Sequence, residues 1–101
     1  MTTTSSATSW ITVNAAPMTT PFFVYRVNPR NDTTTLTYPV VCWLVQHRYR
    51  DGLPVDDRVV AGFLWSEDGR VRPADQLSGF VGVYPDGEAP GPERIEAAKL
   101  P

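Results

Sequence analysis

Residues 40–49 read VVCWLVQHRY, the most apolar run of the chain, and the fold turns on how this run is buried. In an extended strand, successive side chains point to opposite faces. The odd positions Val41, Trp43, Val45, His47 and Tyr49 are apolar or aromatic throughout. The even positions change character, from Val40, Cys42 and Leu44 to Gln46, Arg48 and, just beyond, Arg50. This alternation predicts a central strand enclosed on both faces at its start and on its odd face alone as it emerges. Trp43, near its middle, is expected to be a principal core residue.

Upstream, FFVYRVN over 22–28 alternates as a second strand, with Phe23, Tyr25 and Val27 on one face and Phe22, Val24, Arg26 and Asn28 on the other. The turn-forming cluster NPRND follows, and an extended threonine-rich segment from Thr33 to Tyr38 returns as its hairpin partner. Pro39 has no N–H to give to a ladder, which predicts a bulge or bend there, with the core strand starting after it. Further back, SWITVNA alternates as a short strand, and 15–20 reads as a connection.

Downstream, DGLPVDD over 51–57 reads as a seven-residue connection, after which RVVAGFLW over 58–65 returns as a second core strand. The matching register sets Tyr49 opposite Val59, His47 opposite Ala61, Val45 opposite Phe63 and Trp43 opposite Trp65. A tight Asp51–Gly52 turn with the strand resuming at Leu53 is the disfavoured alternative, because Pro54 and two aspartates follow. SEDGR over 66–70 signals a hairpin, Val71 and Arg72 a short strand, PADQL a single helical turn, and GFVGVY over 79–84 a last strand in which Gly82 marks a bulge or close approach. PDGEAPGP is linker-like, and Pro92, Glu93 and Lys99 suit the two ends of a short helix.

These elements predict a mainly β fold: one small antiparallel sandwich or partly open barrel of six or seven short strands, with a short C-terminal helix. Residues 1–8, all Thr, Ser and Ala after the first Met, are expected to form a flexible tail; 9–85 the β domain; and 86–101 a Pro/Gly linker with a short helix or tail. A chain of 101 residues has room for one core, and 42% hydrophobic content is enough to fill it.

A net charge of −2 does not provide the basic stripe usual in nucleic-acid binders. Cys42 is the sole cysteine, so internal disulfides and paired-cysteine zinc sites are excluded, and a reducing compartment is expected. The first residues lack a basic start and an apolar stretch, and the longest apolar run falls far short of the ~20 residues that span a bilayer. The expectation is therefore a cytoplasmic protein that does not enter membranes. Eight arginines against one lysine fit a GC-rich coding genome, as of a bacterium or a phage.

Cys42 and His47 do not form a nucleophile–base pair, because an odd separation on one strand sends them to opposite faces. The sequence contains no phosphate-binding glycine loop, nucleophile elbow or zinc-protease motif. No catalytic residue, metal site or cofactor is expected. The candidate binding cluster lies at the emerging end of the central strand: Gln46, Arg48, Arg50 and Arg58, with Asp56 and Asp57 close enough to pair with the arginines. The leading expectation is a non-catalytic protein-interaction module, in the manner of a phage or accessory bacterial protein acting on a partner protein. The alternatives are a small nucleic-acid-binding β-barrel using Arg48, Arg50 and Arg58, and a structural or assembly subunit that forms homo-oligomers.

Overall fold

The computed structural model describes residues 9–99. The tail expected over 1–8 lies outside the described residues, as do the last two residues of the C-terminal segment. Six strands, β1 (Ile11–Pro17), β2 (Phe22–Val27), β3 (Thr35–Arg50), β4 (Leu53–Trp65), β5 (Arg70–Pro73) and β6 (Phe80–Pro85), form one antiparallel sheet that does not close into a barrel. Among the described residues, a single 3-10 turn at Ala74–Gln76 precedes β6, and one helix, α1 (Pro92–Lys99), follows it. The mainly β architecture and the short C-terminal helix agree with the sequence patterning.

The strand order is β5-β4-β3-β2-β6, with β1 also on β3. β3 is sixteen residues long and serves two partners along one edge: Thr35–Pro39 pair with β2, and Cys42–His47 pair with β1. Its other edge pairs with β4 from Val40 to Arg50. The predicted break at Pro39 does not occur, because the strand runs through it; the irregularity comes two residues later, where Val41 is an extra residue between the Val40–Phe63 and Cys42–Gly62 pairs. A bulge of this kind shifts the pleat by one residue and exchanges the two faces. Before it Tyr38 and Val40 face the core; after it Trp43 does, opposite Ala61.

The expected seven-residue connection after Arg50 is instead a two-residue turn. Asp51 and Gly52 both have positive φ, 53° and 78°, the backbone a type I′ hairpin turn requires, and its twist matches that of the flanking strands. β4 resumes at once at Leu53, so Trp43 faces Ala61 rather than Trp65, and Val45 faces Val59 rather than Phe63. The register still preserves parity. Pro54 is tolerated because the edge of β4 away from β3 carries no strand over 53–61 among the described residues, and Val55 is taken up as a second bulge beside it.

The core gathers Val24, Val40, Ala61, Phe63, Ala74 and Leu77, with Phe22, Tyr38, Trp43, Trp65 and Phe80 packed around them. Phe63 is its centre, 1% exposed, with Tyr38 and Trp65 rings at 5.4 and 5.9 Å. Trp43 is only half-buried and packs edge-on against Phe22 at 5.2 Å. α1 packs on β2 and β6, and Tyr25 reaches the preceding loop, donating to the Glu88 carbonyl at 3.1 Å. At Gly82 a Cβ would stand 2.9 Å from the Tyr84 ring, the close approach its position predicts.

Phe63→Ala is expected to cost about 3–5 kcal/mol in denaturant unfolding, as for large aromatics in closed cores, and Trp43→Ala measurably less.

Candidate functional site

β1, the second half of β3 and the first half of β4 form a three-stranded arm, and the pleat assigns its side chains to two faces. Trp10 and Thr12 lie on the same face as Gln46, Arg48, Asp56 and Arg58, since Thr12 pairs with Gln46, Gln46 with Arg58 and Arg48 with Asp56. On this face Gln46 is 2% exposed. Its amide donates to Thr12 Oγ1 at 3.0 Å and accepts from Arg58 Nε at 2.8 Å. Arg58 then donates through Nη1 to Asp75 at 2.7 Å, and Arg48 donates to Asp56. Both guanidinium groups lie over the Trp10 ring, at 4.8 Å for Arg48 and 4.4 Å for Arg58.

The structure thus brings together four of the six residues singled out in the sequence: Gln46, Arg48, Arg58 and Asp56. Asp57 is on the opposite face, paired in register with His47. Arg50 is exposed at the hairpin end and makes no ion pair among the described residues. Gln46, expected on the solvent side of the emerging strand, is instead buried with β1 alongside it, and the odd face is the more open one. Trp10, Thr12 and Asp75 were missed. The first two share parity in SWITVNA, but nothing in that stretch shows which strand it joins.

The opposite face of the arm carries Ile11, Val45, His47, Asp57 and Val59, with Ile11 47% and Val59 64% exposed. Cys42 is half-buried on the other side of the pleat from His47, and burial pushes its thiol above the ordinary cysteine range, so it is no ready nucleophile. Among the described residues no group of three or more His, Cys, Asp or Glu could hold a metal ion, and no helix is long and apolar enough to cross a membrane.

A second polar site gathers around Arg26 of β2. Arg26 sits at the end of the β2 face that carries Phe22 and Val24, and is 7% exposed. Its Nη2 donates to Ser78 Oγ at 3.1 Å and its Nη1 to the Tyr38 hydroxyl at 3.5 Å, while its Nε is buried without an acceptor. A cavity of about 360 Å³ opens beside it, lined also by Phe63, Trp65, Arg72, Leu77 and Ser78. Arg72 is held by Asp68, which accepts from its Nε at 3.1 Å and its Nη2 at 2.5 Å, and also from the Arg70 backbone N–H at 2.9 Å. The signal for this site was present in FFVYRVN, where an arginine shares the parity of two core residues.

Gln46→Leu leaves Arg58 Nε and Thr12 Oγ1 without their partner, and is expected to lower unfolding stability by about 1–3 kcal/mol, with partial recovery on adding Arg58→Met. The Arg72 and Arg70 hydrogen bonds hold the Asp68 carboxyl below the usual aspartate range. Its contribution to the β4–β5 turn is therefore fully present above pH ~4 and is lost as pH falls through the depressed value; an NMR titration of the Asp68 carboxyl carbon is expected to give a midpoint below that of a free aspartate. Comparison of the chain with protein-family models, curated proteins and solved structures yields no match.

Proposed function

We propose that the protein is a non-catalytic interaction module that binds a partner protein through the open face of the β1–β3–β4 arm. The observation that carries this reading is the pair of exposed aliphatic side chains on that face, Ile11 and Val59, with the half-buried Val45 between their strands. Contiguous exposed apolar surface on a folded domain marks interaction sites. His47, Tyr49 and Asp57 border the row with polar atoms, as at the rim of a protein interface.

The arginine face has less support as a nucleic-acid surface. Arg48 and Arg58 are each held by a carboxylate and stacked over Trp10, so a phosphate would compete with contacts already made. Arg50 alone remains for an approaching backbone. The assembly-subunit reading uses the same open face, with a second copy as partner.

Val59→Lys places a charge at the β4 end of the row, at a position that is already mostly exposed. It is expected to leave the unfolding midpoint within the small range typical of surface substitutions, while abolishing capture of the partner that the wild-type chain retains from lysate of its own cells. Capture unchanged by Val59→Lys sinks the assignment of this face. A dimer in light scattering that Val59→Lys converts to monomer makes the partner another copy of the chain.

A further inference from the structure

We infer that the cavity beside Arg26 is a binding site for a small organic monocarboxylate with an apolar body. A guanidinium remains charged at every pH a protein experiences. One buried in a core normally lies against a carboxylate, because an uncompensated buried charge is among the most unfavourable arrangements a fold can hold. Arg26 is 7% exposed, and among the described residues no carboxylate lies within 4.0 Å of it. The other arginine of the cavity does not change this balance, since Arg72 is already neutralised by Asp68. The site carries one surplus positive charge.

The donor count points the same way. A guanidinium has five N–H groups, and Arg26 spends two, on neutral hydroxyl acceptors, the Tyr38 bond being at the long limit of 3.5 Å. Its Nε, closed off from solvent, has no acceptor at all, and one N–H on each of Nη1 and Nη2 is left for a ligand. A planar carboxylate matches the fork of a guanidinium and supplies one negative charge, whereas a phosphate dianion would exceed the charge available. Of the remaining walls, Phe63, Trp65 and Leu77 are apolar and Gln76 adds one polar side chain, so the body behind the carboxylate is mainly apolar. A volume of about 360 Å³ lies at the small end of the range for ligand cavities, which suits a compact ring or short chain. The arm's open face lies on other residues, so this site stands or falls independently of the proposed protein partner.

The test titrates the full chain with benzoate, benzyl alcohol and inorganic phosphate, followed by the indole N–H of Trp65 and the Nε–H of Arg26 in ¹H–¹⁵N NMR spectra. Benzoate is expected to shift both resonances saturably at millimolar concentration or below. It should bind at least about tenfold more tightly than benzyl alcohol, the ratio one charge-assisted hydrogen bond provides. Arg26→Met is expected to erase that preference, and Arg26→Lys to reduce it by removing the fork while keeping the charge. Equal binding of benzoate and benzyl alcohol overturns the inference, as does phosphate binding more tightly than benzoate, or the absence of any saturable shift at Trp65. The comparison of the three ligands on the wild-type chain decides the matter even where Arg26→Met does not fold.

Discussion

Everything in this fold depends on β3 remaining one continuous strand while the parity of its core-facing side chains changes once, from Tyr38 and Val40 to Trp43. A sixteen-residue strand in a chain of 101 residues cannot be covered by one neighbour along each edge, so β2 and β1 share one edge in succession and β4 takes most of the other. The extra residue at Val41 makes this workable. Without it the face that packs Tyr38 and Val40 under Phe63 would continue into Cys42, Leu44 and Gln46, and Trp43 would point away from Phe22. The glycine opposite the bulge completes the arrangement: a Cβ on Gly62 would stand about 3 Å from the side chains of Cys42, Leu44 and Val71, which close over it on the far side of the pleat.

The division between what could be read from the chain and what could not follows from this bulge. The alternation in residues 22–28 and 40–50, the hairpin at NPRND and the four-residue turn before Arg70 are local signals, and each has its counterpart in the structure. The two apolar parities of VVCWLV were legible as burial on both faces, and beyond the Val41 bulge Trp43 packs on the core while Leu44, 6% exposed, is buried on the other face. The Asp51–Gly52 turn was visible and set aside because of Pro54; backbone twist at a type I′ turn outweighed a proline on an edge where its missing N–H costs nothing. The pairing of β1 with β3 is non-local, and no residue in SWITVNA encodes it. Gln46 followed from that error: a glutamine on an emerging strand reads as solvent-facing until a neighbouring strand is placed beside it.

The arginines show how little charge type alone says about role. Arg48 and Arg58 share a tryptophan face and are each bound by an aspartate, so together with Gln46 they form a polar layer holding β1 to the hairpin, in which the Arg48 Nε alone is buried without an acceptor. Arg72 ties the turn before β5 to Asp68, and Arg50 extends into solvent. Arg26 has the deepest position of these and the least compensation. Burial and partner count, rather than clustering in sequence, separate arginines that hold structure from one that is poised to hold something else.

The free edge of β4 has a consequence for how copies of this chain meet at high concentration. An exposed strand edge ordinarily templates another strand, which is the route to fibrils. Here Pro54 interrupts the row of donors, the bulge at Val55 twists the backbone out of register, and Asp56 and Asp57 place two carboxylates where an incoming copy would have to lie against its own. Open-ended growth by backbone pairing is opposed along that margin, although aliphatic side chains lie on the face beside it.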